Sequence, residues 1–265
     1  MPLFPFFENE VKYKNMSHDT DRERRVFQDY LDHSKSAVFF GGAGVSTESG
    51  VPDFRSKDGL YNQKDIRFDN YPPEYLLSHE CLTLHPDVFF EFYRQKMDTR
   101  FIEPNPAHYA LARWEREGKL SAVITQNIDG LHQKAGSKNV YEIHGTTKRN
   151  YCSCCLKPYP ADHIFESKER IPRCDCGGVI RCDVTLYGES LPDDAVEDAV
   201  NAIRSADLLI IGGTSLTVYP AASFIRYFKG DHLVVINRDP LSISLRQDKD
   251  LYISDRIGAF FSGIK

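Results

Sequence analysis

Apolar positions recur along the chain in two rhythms. Between Asp19 and His33 they fall at Val26, Phe27, Tyr30 and Leu31, one face of a helix that Asp19 or Thr20 can cap. Next, Ala37-Val38-Phe39-Phe40 is an apolar run too short for a helix and reads as a strand. Pro86 to Met97 returns to the helical period, its stripe of Phe89, Phe92, Tyr93 and Met97 suited to core packing. Pro104 to Gly118 predicts a second helix, with Pro106 near its start and Gly118 at its end. Leu120 to Thr125 and Tyr141-Glu142-Ile143 read as strands, and Asp193 to Arg204 as a helix after Pro192. Asp207 to Ile211 and Leu233 to Ile236 are unbroken apolar runs, the pattern of strands buried on both faces. Pro220 to Phe228 is expected to be helical, and Leu251 to Ile253 and Ile257 to Phe261 close the chain as strand and helix. Strands alternating with helices predict an α/β fold with a doubly wound parallel sheet. Two stretches keep neither rhythm. Ser56 to Asn70 reads as a mobile polar loop, punctuated by Tyr71-Pro72-Pro73, and Cys152 to Cys182 as irregular and cysteine-rich.

The length of 265 residues fits one large domain, or one with a small insert. A net charge of −5 argues against nucleic-acid binding, which leans on phosphate neutralisation. No apolar run reaches the length of a membrane span. The opening MPLFPFFENEVKYKNM lacks the basic start, apolar core and cleavage site of a secretion signal. Residues 1–18 read as an arm, with Met16 as an alternative start, and the protein is expected to be cytoplasmic. In that compartment seven cysteines suggest metal before disulfides.

The candidate chemistry collects where strands end. Gly41-Gly42-Ala43-Gly44-Val45-Ser46-Thr47 follows the first strand, and glycines there let the backbone approach a phosphate, with a helix N-terminus expected behind them. Thr47 stands where a dinucleotide fingerprint has its third glycine, and Gly50-Val51-Pro52-Asp53-Phe54-Arg55 is foreign to an ordinary dehydrogenase. Gln126, Asn127 and Asp129 leave the end of the Leu120 strand, where open α/β sheets bind ligands. His144 ends another strand, and an imidazole can take a proton near neutrality. Gly212-Gly213-Thr214-Ser215 and Asn237 end two further strands, so one extended ligand explains the set better than scattered turns.

Cys152-x-x-Cys155 and Cys174-x-Cys176 suit a closed tetrahedral zinc site, structural because four ligands leave no open position. The second pair is one residue short of the usual spacing, and Cys154 and Cys182 lie close enough to substitute.

In order, GAGVSTESGVPDFR, TQNIDGLH, IHG, the cysteine pairs, YGESLP, GTSLTVYPA and Ile236-Asn237 resemble the sirtuins, NAD-dependent protein lysine deacylases, in a compact bacterial form. The resemblance spans nearly the whole chain from about Asp21. It implies a Rossmann-like domain from residues 19–55, 100–147 and 183–265, and a smaller helical and zinc-binding domain from residues 56–99 and 148–182. It implies that Ala43, Gly44, Ser46 and Thr47 line the pyrophosphate and ribose of NAD, that Phe54 shields the nicotinamide ribose and that Arg55 orders the loop. Gln126 and Asn127 would contact ribose and a bound water, Ile128 and Asp129 the nicotinamide amide, and Thr214, Ser215, Asn237 and Asp255 the adenosine half. By the same resemblance the acyl oxygen of acyl-lysine attacks C1′ of the ribose and nicotinamide leaves. His144, with Asn127 beside it, is then the catalytic base that delivers 2′-O-acyl-ADP-ribose. The acylated-lysine peptide would insert as a strand between Gly188-Glu189 and Thr217-Val218-Tyr219. Members that remove acidic acyl groups carry Tyr-x-x-Arg; the nearest match here is Tyr93-x-x-Lys96, so a neutral acyl group, chiefly acetyl, is expected. The alternatives are a mono-ADP-ribosyltransferase on the same NAD site and a zinc-bearing NAD-binding regulator without catalysis.

Overall fold

A computed structural model of the chain describes residues 19–63 and 65–265; the N-terminal arm and Met16 lie outside the described residues. In chain order the elements are α1 (Thr20–His33), β1 (Ala37–Gly41), α2 (His79–Leu84), α3 (Pro86–Lys96), α4 (Pro106–Arg116), β2 (Leu120–Thr125), α5 (Leu131–Ala135) and β3 (Val140–Glu142). There follow β4 (Gly145–Cys152), β5 (Pro158–Pro160), α6 (Asp162–Phe165), β6 (Ile180–Val184), α7 (Asp193–Ser205), β7 (Leu208–Gly212), β8 (His232–Ile236), β9 (Leu251–Ile253) and α8 (Ile257–Phe261).

The apolar runs form a six-stranded sheet of order β3-β2-β1-β7-β8-β9, parallel throughout. Helices cover both faces, which is why β1 and β7 are buried at every position. On one face Phe27 of α1, Trp114 of α4 and Phe261 of α8 pack together, with Trp114 edge-on to Phe261 at 4.7 Å. Truncating such a residue to alanine costs about 3–5 kcal/mol. On the other face Ile203 of α7 and Phe224 close over Val38, Phe40, Leu209 and Ile211. A third core joins α2 and α3 to β6 through Cys81, Phe89, Phe90, Tyr93, Ile180 and Cys182.

The order of the strands reverses between β1 and β7, and a crevice opens at their carboxyl ends. There the backbones cross closely: the N–H of Gly44 donates to the carbonyl of Gly213 at 2.8 Å, and a Cβ on Gly44 would stand 2.8 Å from the Gly213 Cα. This approach requires glycine on both sides.

Three local expectations are corrected. No α-helix follows the glycine turn; the chain makes two 3₁₀ turns, Ala43–Val45 and Thr47–Ser49, and stops at Gly50 with φ of +87°. Thr47 Oγ1 bonds the Gly44 carbonyl at 2.9 Å, the local competition that keeps Ser and Thr out of helix interiors. Residues Ala221–Tyr227 are 3₁₀ rather than α-helical. The cysteine-rich stretch is ordered: β5-β4-β6 form an antiparallel sheet, with Pro158 and Pro160 on its edge strand.

Candidate active site

Strand ends converge on a cleft of about 640 Å³. Of the residues expected to hold NAD, Ala43, Gly44, Thr47, Phe54, Arg55, Gln126, Asn127, Ile128, His144, Thr214, Ser215, Asn237 and Asp255 line it. Ser46 and Asp129 stand behind its wall, 1% and 5% exposed, bonded to each other at 2.6 Å.

His144 is placed by main-chain bonds on both sides. Ile143 N–H donates to the Thr125 carbonyl at 3.1 Å, and Thr185 N–H to the His144 carbonyl at 2.9 Å. Gly145 has φ of +73°, and a Cβ there would lie 2.1 Å from the Asp183 carbonyl oxygen. Only glycine permits the crossing onto β6 that turns the imidazole into the cleft. The ring Nδ1 lies 2.8 Å from the Gln126 carbonyl. A carbonyl only accepts, so Nδ1 carries the proton and Nε2 keeps its lone pair. Burial lowers the pKa of His144 and outweighs the opposing bond to Gln126, so Nε2 is a free base at neutral pH.

The amides beside it are oriented by their neighbours. Gln126 Nε2 donates to Thr214 Oγ1 at 3.0 Å, tying β2 to the turn after β7. Asn127 Nδ2 donates to Ser46 Oγ at 3.0 Å, which leaves its oxygen for the cleft. At the mouth Tyr187 OH accepts from Arg55 Nη2 at 3.0 Å and from Tyr61 OH at 3.1 Å, while Phe54 and Tyr61 pack at 5.4 Å. Sequence reasoning missed this hydroxyl cluster, which joins the Phe54 to Tyr61 segment to the distant Tyr187.

It also missed the support of Glu189. This carboxylate accepts from Arg181 at 2.7 and 3.0 Å, from the Leu186 N–H at 2.9 Å and pairs with His79 at 2.9 Å. Burial pushes Glu189 up, but Arg181 foremost brings it to about 2, so it stays ionised. The adjoining Tyr187 pairs with the segment entering α2: its N–H donates to the Leu77 carbonyl at 3.0 Å and its carbonyl accepts from His79 N–H at 2.9 Å. Gly188, Glu189, Thr217, Val218 and Tyr219 all line the cleft.

At the far end of the small sheet the Sγ atoms of Cys152, Cys155, Cys174 and Cys176 lie within 4.8 Å of one another. Cys152 and Cys176 are 3.4 Å apart and Cys155 and Cys174 3.6 Å, against about 3.8 Å for sulfurs on a tetrahedral zinc. The set therefore fits that ion. The four thiols shift against one another: backbone N–H groups of Cys155 and Cys176 foremost lower Cys152 and Cys174, while the neighbouring sulfurs raise Cys155 and Cys176. Just after the short second pair the Gly177 N–H donates back to the Cys174 carbonyl at 2.8 Å, and Gly177, at φ of +86°, takes the chain out of the turn. Cys154 is exposed, and Cys182 is buried in the core beside Tyr93; neither belongs to the cluster.

Comparison with known proteins agrees with this geometry. The sequence model of the Sir2 family matches residues 42–220. An NAD-dependent protein deacetylase of Clostridium acetobutylicum is 55% identical over 85% of this chain and 91% of its own length. That of Clostridium tetani is 50% identical over 91% and 96%. Among solved structures, a Sir2 with deacetylated p53 peptide and 3′-O-acetyl ADP-ribose superimposes with a TM-score of 0.80 at 35% identity, over 91% of this chain and 96% of that one. A Sir2–p53 peptide–NAD+ structure gives 0.76 at 36%, over 90% and 95%. With more than half its length matched by the family model and half or more of its aligned residues identical to those of such relatives, the chain belongs to the Sir2 family of NAD-dependent protein deacetylases.

Proposed function

We propose that this cleft removes acetyl groups from protein lysines, transferring them to the ADP-ribose of NAD with release of nicotinamide. The observation that carries the reading is the unprotonated Nε2 of His144, half-buried in the cleft at the strand ends. NAD supplies the electrophilic ribose carbon. The chain's own residues bind, orient and move a proton. Ala43, Gly44 and Thr47 receive the pyrophosphate and ribose, and Thr214, Ser215, Asn237 and Asp255 the adenosine half. Phe54 and Ile128 exclude water around the nicotinamide end, where Arg55 orders the loop. Gln126 and Asn127 orient the ribose, Ser46 and Asp129 act from behind through Asn127, and His144 Nε2 takes the ribose hydroxyl proton.

The substrate peptide enters as a strand beside Gly188-Glu189 and Thr217-Val218-Tyr219, its lysine reaching the cleft between them. A neutral acyl group is favoured, because Tyr93 is fully buried in the core of α3 and Lys96 donates to Gln63; neither lines the cleft. Residues 19–55, 100–147 and 183–265 act as the nucleotide-binding unit. Residues 56–99 and 148–182 form the covering unit, held by a structural zinc on Cys152, Cys155, Cys174 and Cys176. Among the described residues no helix is long and apolar enough to cross a membrane.

An acetyl-lysine peptide assay with NAD tests the reading. Nicotinamide is expected only when the peptide is present, with one O-acetyl-ADP-ribose per turnover. Labelled ADP-ribose on protein without that product would decide for the transferase. A succinyl peptide cleaved faster than the acetyl one would overturn the neutral preference.

A further inference from the structure

Behind the wall of the cleft lies a chain of polar groups that begins at the N-terminus of α4. Asn105 caps this helix: its side chain accepts from the Ala107 N–H at 2.9 Å, and its own N–H donates to His108 Nδ1 at 3.2 Å. A backbone N–H only donates, so Nδ1 is the acceptor and the proton of His108 sits on Nε2. That nitrogen faces Ser46 Oγ at 3.5 Å. The Ser46 hydroxyl cannot give its proton to an N–H, and instead donates to Asp129 Oδ2 at 2.6 Å. Its remaining lone pair takes Asn127 Nδ2 at 3.0 Å, so the oxygen of that amide is the end left for the cleft. Asp129 is held by the Leu131 N–H at 2.9 Å on its other oxygen. The His132 ring packs against His108 at 4.8 Å and closes the far side; both side chains are buried, 1% and 0% exposed.

We propose that His108 is a positioning residue for the reaction: its tautomer, set by the helix cap, fixes the direction of the Ser46–Asp129 hydrogen bond and so which end of the Asn127 amide faces the substrate. With the proton on Nδ1 instead, Nε2 would accept from Ser46, the link to Asp129 would reverse or break, and the Asn127 amide would be free to turn. His108 lies outside the cleft lining, so it acts only through Ser46 and Asn127. The inference rests on the reading of Asn127 given above.

Glutamine separates the role from mere packing. Its amide oxygen and nitrogen are spaced like the two ring nitrogens, so a His108→Gln side chain can accept from Asn105 and present N–H to Ser46, whereas His108→Met can do neither. Assays run well below the melting temperature of both variants are expected to show kcat about 10-fold lower for His108→Met, with the KM for acetyl-peptide within about 2-fold, and kcat within about 3-fold of wild type for His108→Gln. Equal losses in the two variants, or a wild-type kcat in His108→Met, would overturn the proposal. Nitrogen-15 NMR of the unaltered protein gives a second reading that needs no variant: the His108 proton is expected on Nε2, and a proton on Nδ1 would overturn it. If Asn127→Ala turns over at the wild-type rate, the failure lies in the reading of Asn127 and not in this coupling; if the wild type itself releases no nicotinamide, the functional reading fails first.

Discussion

The catalytic crevice and the cysteine-bearing end of the small sheet use one device, a glycine that lets backbone or side chain come close, on opposite foundations. At the crevice Gly44 crosses Gly213 above strands buried at every position. At the other end a Cβ on Gly178 would stand 2.6 Å from Cys152 Sγ, but Cys154, Cys155 and Cys176 are exposed and β5 has no buried residue. The crevice is held by a core that exists without any ligand. The cysteine end has four sulfurs where that core would be, so its order is expected to depend on metal.

The sharpest way to break this contrast is to take the metal away. Structural zinc sites bind with about 10–16 kcal/mol of apparent free energy, far more than the contacts seen around these cysteines. Chelation, or Cys155→Ser, is expected to abolish one equivalent of bound zinc and to expose the backbone amides of residues 152–178 to hydrogen exchange. Amides of β1, β7 and β8 should stay protected. Equal exposure of both regions would show that the small unit supports the large one.

The reverse experiment strikes the crevice alone. His144→Ala removes the one imidazole among the described residues that lines the cleft and should lower kcat about 10²–10⁴-fold, with NAD binding, zinc content and melting temperature nearly unchanged. Because burial lowers the pKa of His144, wild-type kcat/KM should hold its value at neutral pH and fall only on the acid side of the ordinary histidine value. An acid limb unchanged in a residually active His144→Gln would assign the titration to another group.

How far this was legible in the chain follows from the range of each interaction. Strands β7 and β8 announce themselves in DLLII and LVVI, because a strand buried on both faces has no polar positions to confuse its reading. Residues at strand ends were found for the same reason: the topology of a doubly wound sheet brings its carboxyl ends together, whatever the loops do. The small sheet was not legible, since β4 and β6 pair only through residues about thirty positions apart, and Pro158 and Pro160 disguise an edge strand as loop. The expected helix after β1 failed because Thr47 satisfies a local carbonyl. The roles of Asn105 and His108 are nonlocal too: the cap is visible as Asn before Pro106, but nothing in the sequence says that the capping histidine points at Ser46.

Acid stability compares the two foundations more gently. His108, desolvated by burial, falls to about 4 despite nearby Asp129, and His132 is pushed well below its ordinary value, by burial first and by His108 second. A histidine with a depressed folded pKa contributes stability that is fully present above the unfolded value near 6.5 and is lost as pH falls from there towards 4, because only the unfolded chain takes up the proton. His108 alone gives a loss of about 3 kcal/mol across that window. Denaturant melts between pH 7 and 4 should show this slope for unfolding of the large sheet, and His108→Gln should reduce it, leaving the part that belongs to His132. A slope that begins only below pH 4.5 would implicate carboxylates such as Glu189 instead.

The smallest effect is expected where the two regions meet. Glu189 joins Arg181 of β6 to the segment that lines the cleft beside the proposed peptide strand. Glu189→Gln keeps an acceptor for the Leu186 N–H but turns the other oxygen into a donor that faces Arg181. Removing one partner of a buried ion pair can cost 3–5 kcal/mol. Here both groups keep some solvent contact, the side chains being 14% and 20% exposed, and the cost should fall to about 1–2 kcal/mol. That loss loosens the Tyr187-Gly188-Glu189 edge without touching His144, so the KM for acetyl-peptide should rise about 3–10-fold while kcat and the KM for NAD stay put. A fall in kcat at constant KM would move Glu189 from the peptide seat into the chemistry, and the boundary between the two regions would have to be drawn on the far side of it.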